Sequence, residues 1–365
     1  MSTLNPHSDF AEIIHSLYVS IFWWTMLILA VVWVLVAVVV VRFRRKSDDE
    51  QPKQIRGHLG LEIGWTVGPA LIVVAITIPT IQAVFETQRP VADDALLVEV
   101  TGHQFWWEFH YPEQGVTTAN ELRLPVDRPV SLRLESNDVI HSFWVPLLGG
   151  KRDVNPEPAV REGREPGANW LHFTPQETGV YRGQCAEFCG DSHALMAMRV
   201  VVDDESGFDG WIERWHASAG AAVPDPVNGE DGSAGDGEVQ VTAAENGAPS
   251  PVASSTQVPT EEDPQVTVGR ELFLNSTCTA CHGIQGTPAQ GAIAPNLTLF
   301  GERATVGAGT LENNEENVVR WIMHPQLIKP GVLMPGVDTP GGNWPATGFS
   351  EDEVRAIAAY LLSLK

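Results

Sequence analysis

Residues 185–196 read C-A-E-F-C-G-D-S-H-A-L-M. The run sets two thiols (Cys185, Cys189), an imidazole (His193) and a thioether (Met196) on one loop between stretches of β-like alternation. Soft sulfur ligands favour copper, and imidazole is compatible with it. A second imidazole, His141, stands upstream at the head of another alternating run. Two thiolates four residues apart can bridge two copper ions, each then needing one imidazole and one weak ligand. His141 and His193 supply the imidazoles; Met196 and the backbone carbonyl of Glu187 supply the weak ligands. Three rival readings stand beside this one. A C-x-x-x-C pair in an oxidising compartment can close a disulfide. A zinc site has no use for Met196. A mononuclear blue-copper site needs only one cysteine.

The other two cysteines lie in C-T-A-C-H, residues 278–282, the signature of covalent c-type haem attachment. Cys278 and Cys281 would form thioethers, and His282 would be the proximal iron ligand. Met334, in G-V-L-M-P-G (331–336), is the sixth ligand expected from the far side, because Met/His ligation suits a high potential. Met323 and His324 are its rivals; the spacing around Met323 reads as a helical core position. All four cysteines are thus assigned to redox centres, and a disulfide scaffold is excluded.

Two long apolar stretches precede these motifs. Residues 17–41 and 63–84 carry no charged side chain, and each exceeds the ~20 residues that span a bilayer core. We read residues 1–86 as a transmembrane hairpin contacting lipid. The first apolar run is too long for a signal peptide and follows no basic segment. Arg42, Arg44, Arg45, Lys46, Lys53 and Arg56 cluster after it, so the inter-helix loop is expected on the cytoplasmic side. Both termini and everything after residue 86 then lie outside a bacterial inner membrane, where c-type haem is attached. Pro69 and Pro79 interrupt the second span, as membrane helices tolerate. Neither span holds a histidine, so this chain cannot ligate a metal within the membrane.

From residue 87 to 216 the pattern is of short strands: 95–100, 104–111, 130–134, 141–145, 170–173, 179–184 and 198–202, punctuated by prolines and glycines. Many short strands predict a Greek-key sandwich or barrel. Residues 217–264 hold nine acidic and no basic side chains, with almost no large apolar ones. That composition cannot bury a core and reads as a disordered acidic tether. Residues 265–365 read as a small helical domain, with one helix over 266–276. Another is capped by Ser350 and Glu353 and ends at Leu364. The net charge of −23 is carried by the part after residue 86 and excludes a nucleic-acid partner.

At these residues the chain resembles subunit II of haem–copper cytochrome c oxidases. The match covers roughly 10–216. It rests on the two-span hairpin, on G-H-Q-F-W-W (102–107), on D-V-I-H-S-F-W-V-P (138–146) and on the Cys-x-Glu-x-Cys loop. The last domain resembles class I cytochrome c, with Pro295 matching that family's proximal-side proline. The resemblance implies a cupredoxin fold carrying binuclear CuA, bound by His141, Cys185, Glu187, Cys189, His193 and Met196. It also implies a magnesium held through the Glu187 side chain at the contact with subunit I. Glu62, in L-E-I-G-W (61–65), matches a glutamate at the mouth of a proton pathway; an acid favoured by a helix N-terminus is the plainer reading. Trp106 and Trp107 either pack the core or lie on an electron path. Two departures stand out. The first aromatic after G-H-Q is Phe105 rather than tryptophan, and the stretch after Asp153 is longer and more charged than the family's turn.

The expectation is therefore a multi-domain chain: membrane hairpin, all-β cupredoxin-like domain, all-α cytochrome c domain. It would be the electron-input subunit of a proton-pumping terminal oxidase. Its partners would be a subunit I bearing haem a and CuB, a subunit III, and a donor such as a cytochrome c or a bc-type complex. The alternative is the input subunit of a CuA-containing nitric oxide reductase. A membrane-tethered copper carrier is a third reading, against which the haem motif counts. The intact copper ligands exclude a quinol-oxidising role. His7, His15, His58, His110, His172 and His216 have no metal-type spacing, and Trp23, Trp24, Trp33 and Trp65 read as membrane anchors.

Overall fold

The computed structural model describes residues 4–44, 57–88, 94–156, 169–220 and 263–365. Arg45, Lys46, Lys53 and Arg56, the charged stretch after residue 156 and most of the acidic tether lie outside these. The chain divides into two compact units. One is Met1–Asp209 with Ala308–Thr310, and the other is Gly210–Gly307 with Leu311–Lys365.

The first unit opens with two helices, α1 (Asp9–Arg42) and α2 (Leu59–Glu86). Both are long and apolar enough to cross a membrane, and their most apolar windows leave nearly every side chain exposed. That outward-facing greasiness fits lipid and would be costly in water. Each helix outruns its uncharged stretch because capping groups extend it. Ser8 accepts from the Ala11 N–H, and Asp9 and Glu12 occupy the positive first turn of α1. Ser8 also anchors the helix to the β-domain. Its hydroxyl, fully buried, donates to the Leu148 carbonyl at 2.5 Å, while the Asp9 carboxylate accepts from the Thr174 N–H at 2.7 Å.

Ten strands follow among the described residues: β1 (Leu96–His103), β2 (Trp106–Tyr111), β3 (Val116–Ala119), β4 (Glu121–Pro125), β5 (Val130–Ser136), β6 (His141–Trp144), β7 (Arg152–Val154), β8 (Asn169–Phe173), β9 (Gly179–Cys185) and β10 (Ala197–Asp203). They form two sheets, ordered β3-β2-β1-β5-β8 and β4-β10-β9-β6-β7. The pairings β1–β5 and β10–β4 are parallel, so the sandwich mixes Greek-key and crossover connections. Strict alternation drives it: β1 runs buried–half-buried along its whole length. Leu96, Val98, Val100, Phe109, Leu132, Leu134, Phe143, Met198 and Val200 meet between the sheets, each at most 1% exposed. Strands β3, β4 and β7 were not foreseen. They are short, and β4 buries most of its residues, so no period-two signal is left. A helix, α3 (Glu205–Gly220), runs past residue 216, the boundary set by composition.

The second unit is helical: α4 (Pro264–Leu274), α5 (Cys278–Cys281), α6 (Glu315–Met323), α7 (Pro325–Ile328) and α8 (Glu351–Ser363). Asp263 caps α4 with proline at its first position. A full capping box of Ser350 and Glu353 opens α8, as expected. Helices α4 and α8 cross so closely at Gly269 that a methyl group there would lie 1.8 Å from the Ala356 carbonyl oxygen. Val266, Phe273, Ile284, Leu297, Phe300, Val319, Ile322 and Ile357 are among the residues that build the core around this crossing.

Candidate metal and haem centres

The copper-type residues converge. The ligand atoms of His141, Cys185 and Cys189 all lie within 4.8 Å of one another, and all three residues are buried. The two sulfurs are 3.8 Å apart, unbonded as a disulfide. His141 Nδ1 stands 3.8 Å from Cys185 Sγ, and His193 Nδ1 stands 3.7 Å from Cys189 Sγ. The Glu187 carbonyl oxygen lies 3.2 Å from Cys185 Sγ, and Met196 Sδ lies 3.9 Å from Cys189 Sγ. The other four predicted ligands thus surround the sulfur pair of Cys185 and Cys189. The fold brings them together because β6 and β9 are neighbours, with Phe143 opposite Cys185. A one-turn 3₁₀ helix at His193–Leu195 then folds the loop back so that the Met196 carbonyl accepts from Cys185 N–H.

Charge favours a cation. The hydrogen bond with Cys189 holds the Cys185 thiol well below the usual thiol range, and the same contact drives the Cys189 thiol upward. The pair therefore gives up one proton readily and the second only against a like charge, as expected of a site completed by metal. Burial pulls the His141 imidazole down, but the Asp138 carboxylate and the Cys185 thiolate outweigh it, and the net shift is upward.

The residues supporting this cluster were not all foreseen. Asp138 Oδ1 lies 2.8 Å from His141 Nε2. The Gln104 backbone N–H donates to Asp138 Oδ2 at 2.6 Å, while the Gln104 side-chain amide donates to the Cys189 carbonyl at 2.5 Å. One residue thus ties the two ligand-bearing segments together. Gly102 is required here, since a methyl group would lie 2.7 Å from His141 Cδ2. Trp107 is fully buried and packs edge-on against His141 and Phe143. Trp106 stacks flat on His103 at 4.1 Å. Phe105 is 4% exposed and lies against Gly190 of the 185–196 loop. Phe188 is instead the exposed aromatic beside the ligands, 74% exposed and edge-on to His193. Only its position between Glu187 and Cys189 signals it in the sequence.

In the second unit, the half-buried His282 donates from Nδ1 to the Pro295 carbonyl at 2.7 Å. A carbonyl only accepts, so Nδ1 carries the proton and Nε2 is left as a ligand. Cys278 and Cys281 are both free thiols, raised by burial. Met334 and Cys278 pack against the same hydrophobic cluster, and Gln326 donates to the Met334 carbonyl. Met323 closes α6, and its carbonyl accepts from Val337 N–H. These donors fit a covalently held haem. Glu62 lies in the first turn of α2, about 36 Å along the helix from Glu86. Its carboxylate accepts from the His58 N–H at 3.2 Å, a helix-capping contact.

The chain resembles known proteins in each of its three regions. Models of the cytochrome c oxidase subunit II transmembrane domain, of its periplasmic domain and of cytochrome c match residues 6–83, 114–204 and 266–365. Cytochrome c oxidase subunit 2 of Alkalihalophilus pseudofirmus is 35% identical over 346 residues, covering 93% of this chain and 83% of that one. The same subunit of Bacillus subtilis is 33% identical, covering 90% and 81%. Quinol oxidase subunit 2 of Bacillus subtilis is 31% identical over 58% of this chain and 66% of its own. Among solved structures, the periplasmic domain of cytochrome oxidase subunit II from Bradyrhizobium japonicum is 29% identical. It covers 34% of this chain and 95% of its own, with a TM-score of 0.30. The chain belongs to the cytochrome c oxidase subunit 2 family and carries a fused C-terminal cytochrome c domain.

Proposed function

We propose that this chain is the electron-input subunit of a terminal respiratory oxidase in the bacterial cell membrane, with its β and cytochrome domains on the periplasmic side. The observation that carries the reading is the six-residue cluster built on two unbonded sulfurs 3.8 Å apart. When bound, a binuclear CuA and a covalent haem c would supply two one-electron couples linking an outside donor to a subunit I bearing haem a and CuB. Reduction of oxygen to water, coupled to proton pumping, belongs to that partner.

The residues of this chain hold and orient. Cys185 and Cys189 would hold the copper through their thiolates, with His141 and His193 supplying imidazoles and Met196 and the Glu187 carbonyl supplying weak donors. Burial of the sulfurs excludes water and limits rearrangement on electron transfer. Cys278 and Cys281 would hold the haem covalently, His282 would present Nε2 to it, and Met334 would supply a soft thioether donor. The Glu187 side chain is a candidate ligand for magnesium facing subunit I. Glu62, at the cytoplasmic end of α2, is the candidate mouth of a proton path. The donor is a cytochrome c or a bc-type complex, and a subunit III completes the assembly.

The test is metal, haem and optical analysis of the purified complex. Two coppers and one covalent haem in this chain are expected, with mixed-valent copper bands that vanish in Cys185→Ser. The complex should consume oxygen when given a reduced cytochrome. Nitric oxide consumption without oxygen uptake would overturn the oxidase reading, and a Cys185–Cys189 disulfide that takes up no copper under reducing conditions would overturn the copper site.

A further inference from the structure

His141 and His193 enter the cluster from very different surroundings. The His141 side chain is wholly buried, and its Nε2 meets Asp138 Oδ1 at 2.8 Å. A carboxylate only accepts, so Nε2 carries the proton and the Nδ1 lone pair is turned toward Cys185 Sγ. Asp138 is itself held: Val139 N–H donates to Oδ1 and Gln104 N–H donates to Oδ2, each at 2.6 Å. The close approach of Gly102 and the Trp107 edge wall the ring in. His193 is half-exposed on the loop, with Phe188 edge-on to its ring, and among the described residues no carboxylate pairs with it.

We infer that Asp138 is the positioning residue that locks His141 into a single tautomer and makes it the stronger donor of the two imidazoles, so that the metal pair is electronically lopsided. This rests on the copper reading above. A carboxylate hydrogen-bonded to a ligating imidazole raises its basicity and fixes its plane, and losing such a partner weakens metal binding about 10–100-fold. Gln104 gives the device a reach beyond one ring. Its backbone orders Asp138 while its side chain holds the Cys189 carbonyl, so the segment between β1 and β2 sets both halves of the site.

The test uses the full chain in its complex with Asp138→Asn, which keeps shape and an acceptor oxygen but removes the charge, and with Asp138→Ala and Asp138→Glu. Asp138→Asn should retain two coppers, shift the copper midpoint potential upward and change the nitrogen hyperfine coupling of one imidazole only. Asp138→Ala should weaken copper uptake about 10–100-fold, with Asp138→Glu restoring part of it. Unchanged potential and hyperfine couplings in both Asp138→Asn and Asp138→Ala, with copper retained, would overturn the inference. Nitrogen-15 resonances of the copper-free chain separate this from failure of the copper reading. The Nε2-protonated tautomer of His141 should be fixed in the parent chain and lost in Asp138→Ala even where no copper binds, and a mixture of tautomers in the parent would overturn the inference by itself.

Discussion

Each weak ligand has its own measurable consequence. Met196 is 1% exposed with its sulfur 3.9 Å from Cys189 Sγ. Met196→Leu conserves volume and removes a soft donor, so the fold should hold within about 1.5 kcal/mol. The copper potential should rise, because the oxidised state loses more from a missing donor. Redox titration of the copper bands measures this; a potential at the parent value would show that Met196 only fills space. The ligands themselves were legible because five of the six lie in one short run, 185–196, which combines two thiols, an imidazole and a thioether, and the sixth, His141, lies in another. Asp138, three residues before His141, stood in a quoted motif yet carried no assignment. Gln104 was silent as well. Their roles depend on β1, β6 and the copper loop meeting in space, and no residue spacing encodes that.

Among elements, the helix pair of the cytochrome unit is the most exacting. Gly269 permits backbone contact between α4 and α8, and an added methyl group would lie 1.8 Å from a carbonyl oxygen. Gly269→Ala should therefore cost about 3 kcal/mol or more despite alanine's better helix propensity, because overpacking here has no flexible side chain to move. Ser350→Ala, which removes one capping bond of α8, should cost only about 1 kcal/mol. Thermal unfolding of the haem-loaded chain should rank the two in that order. The sequence marked the cap by its Ser-x-x-Glu spacing, whereas a glycine inside a helix says nothing of what crosses it. In the β-domain, His103 stacks on Trp106, and burial lowers its imidazole to about 4 from 6.5. The folded state thus prefers the neutral ring. The unfolded chain binds the extra proton first, so this contribution is present above pH 6.5 and is lost as pH falls toward 4. The loss is no more than about 3 kcal/mol. His103→Phe keeps a stacking ring without the titration and should flatten the pH dependence of unfolding in that window; an unchanged slope would assign the acid sensitivity to other groups.

At the scale of the molecule, the order of domains could be read directly, since each carries a local signature: a charge-free span, alternation, C-x-x-C-H. What could not be read is how α1 is stapled to the β-domain through Ser8 and Asp9, because Leu148 and Thr174 lie far along the chain. Residues 217–264 hold almost no large apolar side chain and nine acidic ones. If this stretch works as a leash, its length sets the effective concentration of the haem domain at the copper domain. That concentration falls roughly as the −3/2 power of length. Doubling residues 217–264 with a sequence of the same composition should slow electron transfer from haem to copper only about threefold. Flash reduction of the haem, followed by the copper band, gives the rate directly. A rate that does not change would mean that the domains stay associated through their own contacts and that the tether is mere connection. A loss far beyond threefold would mean that its length is tuned to one geometry rather than to a search.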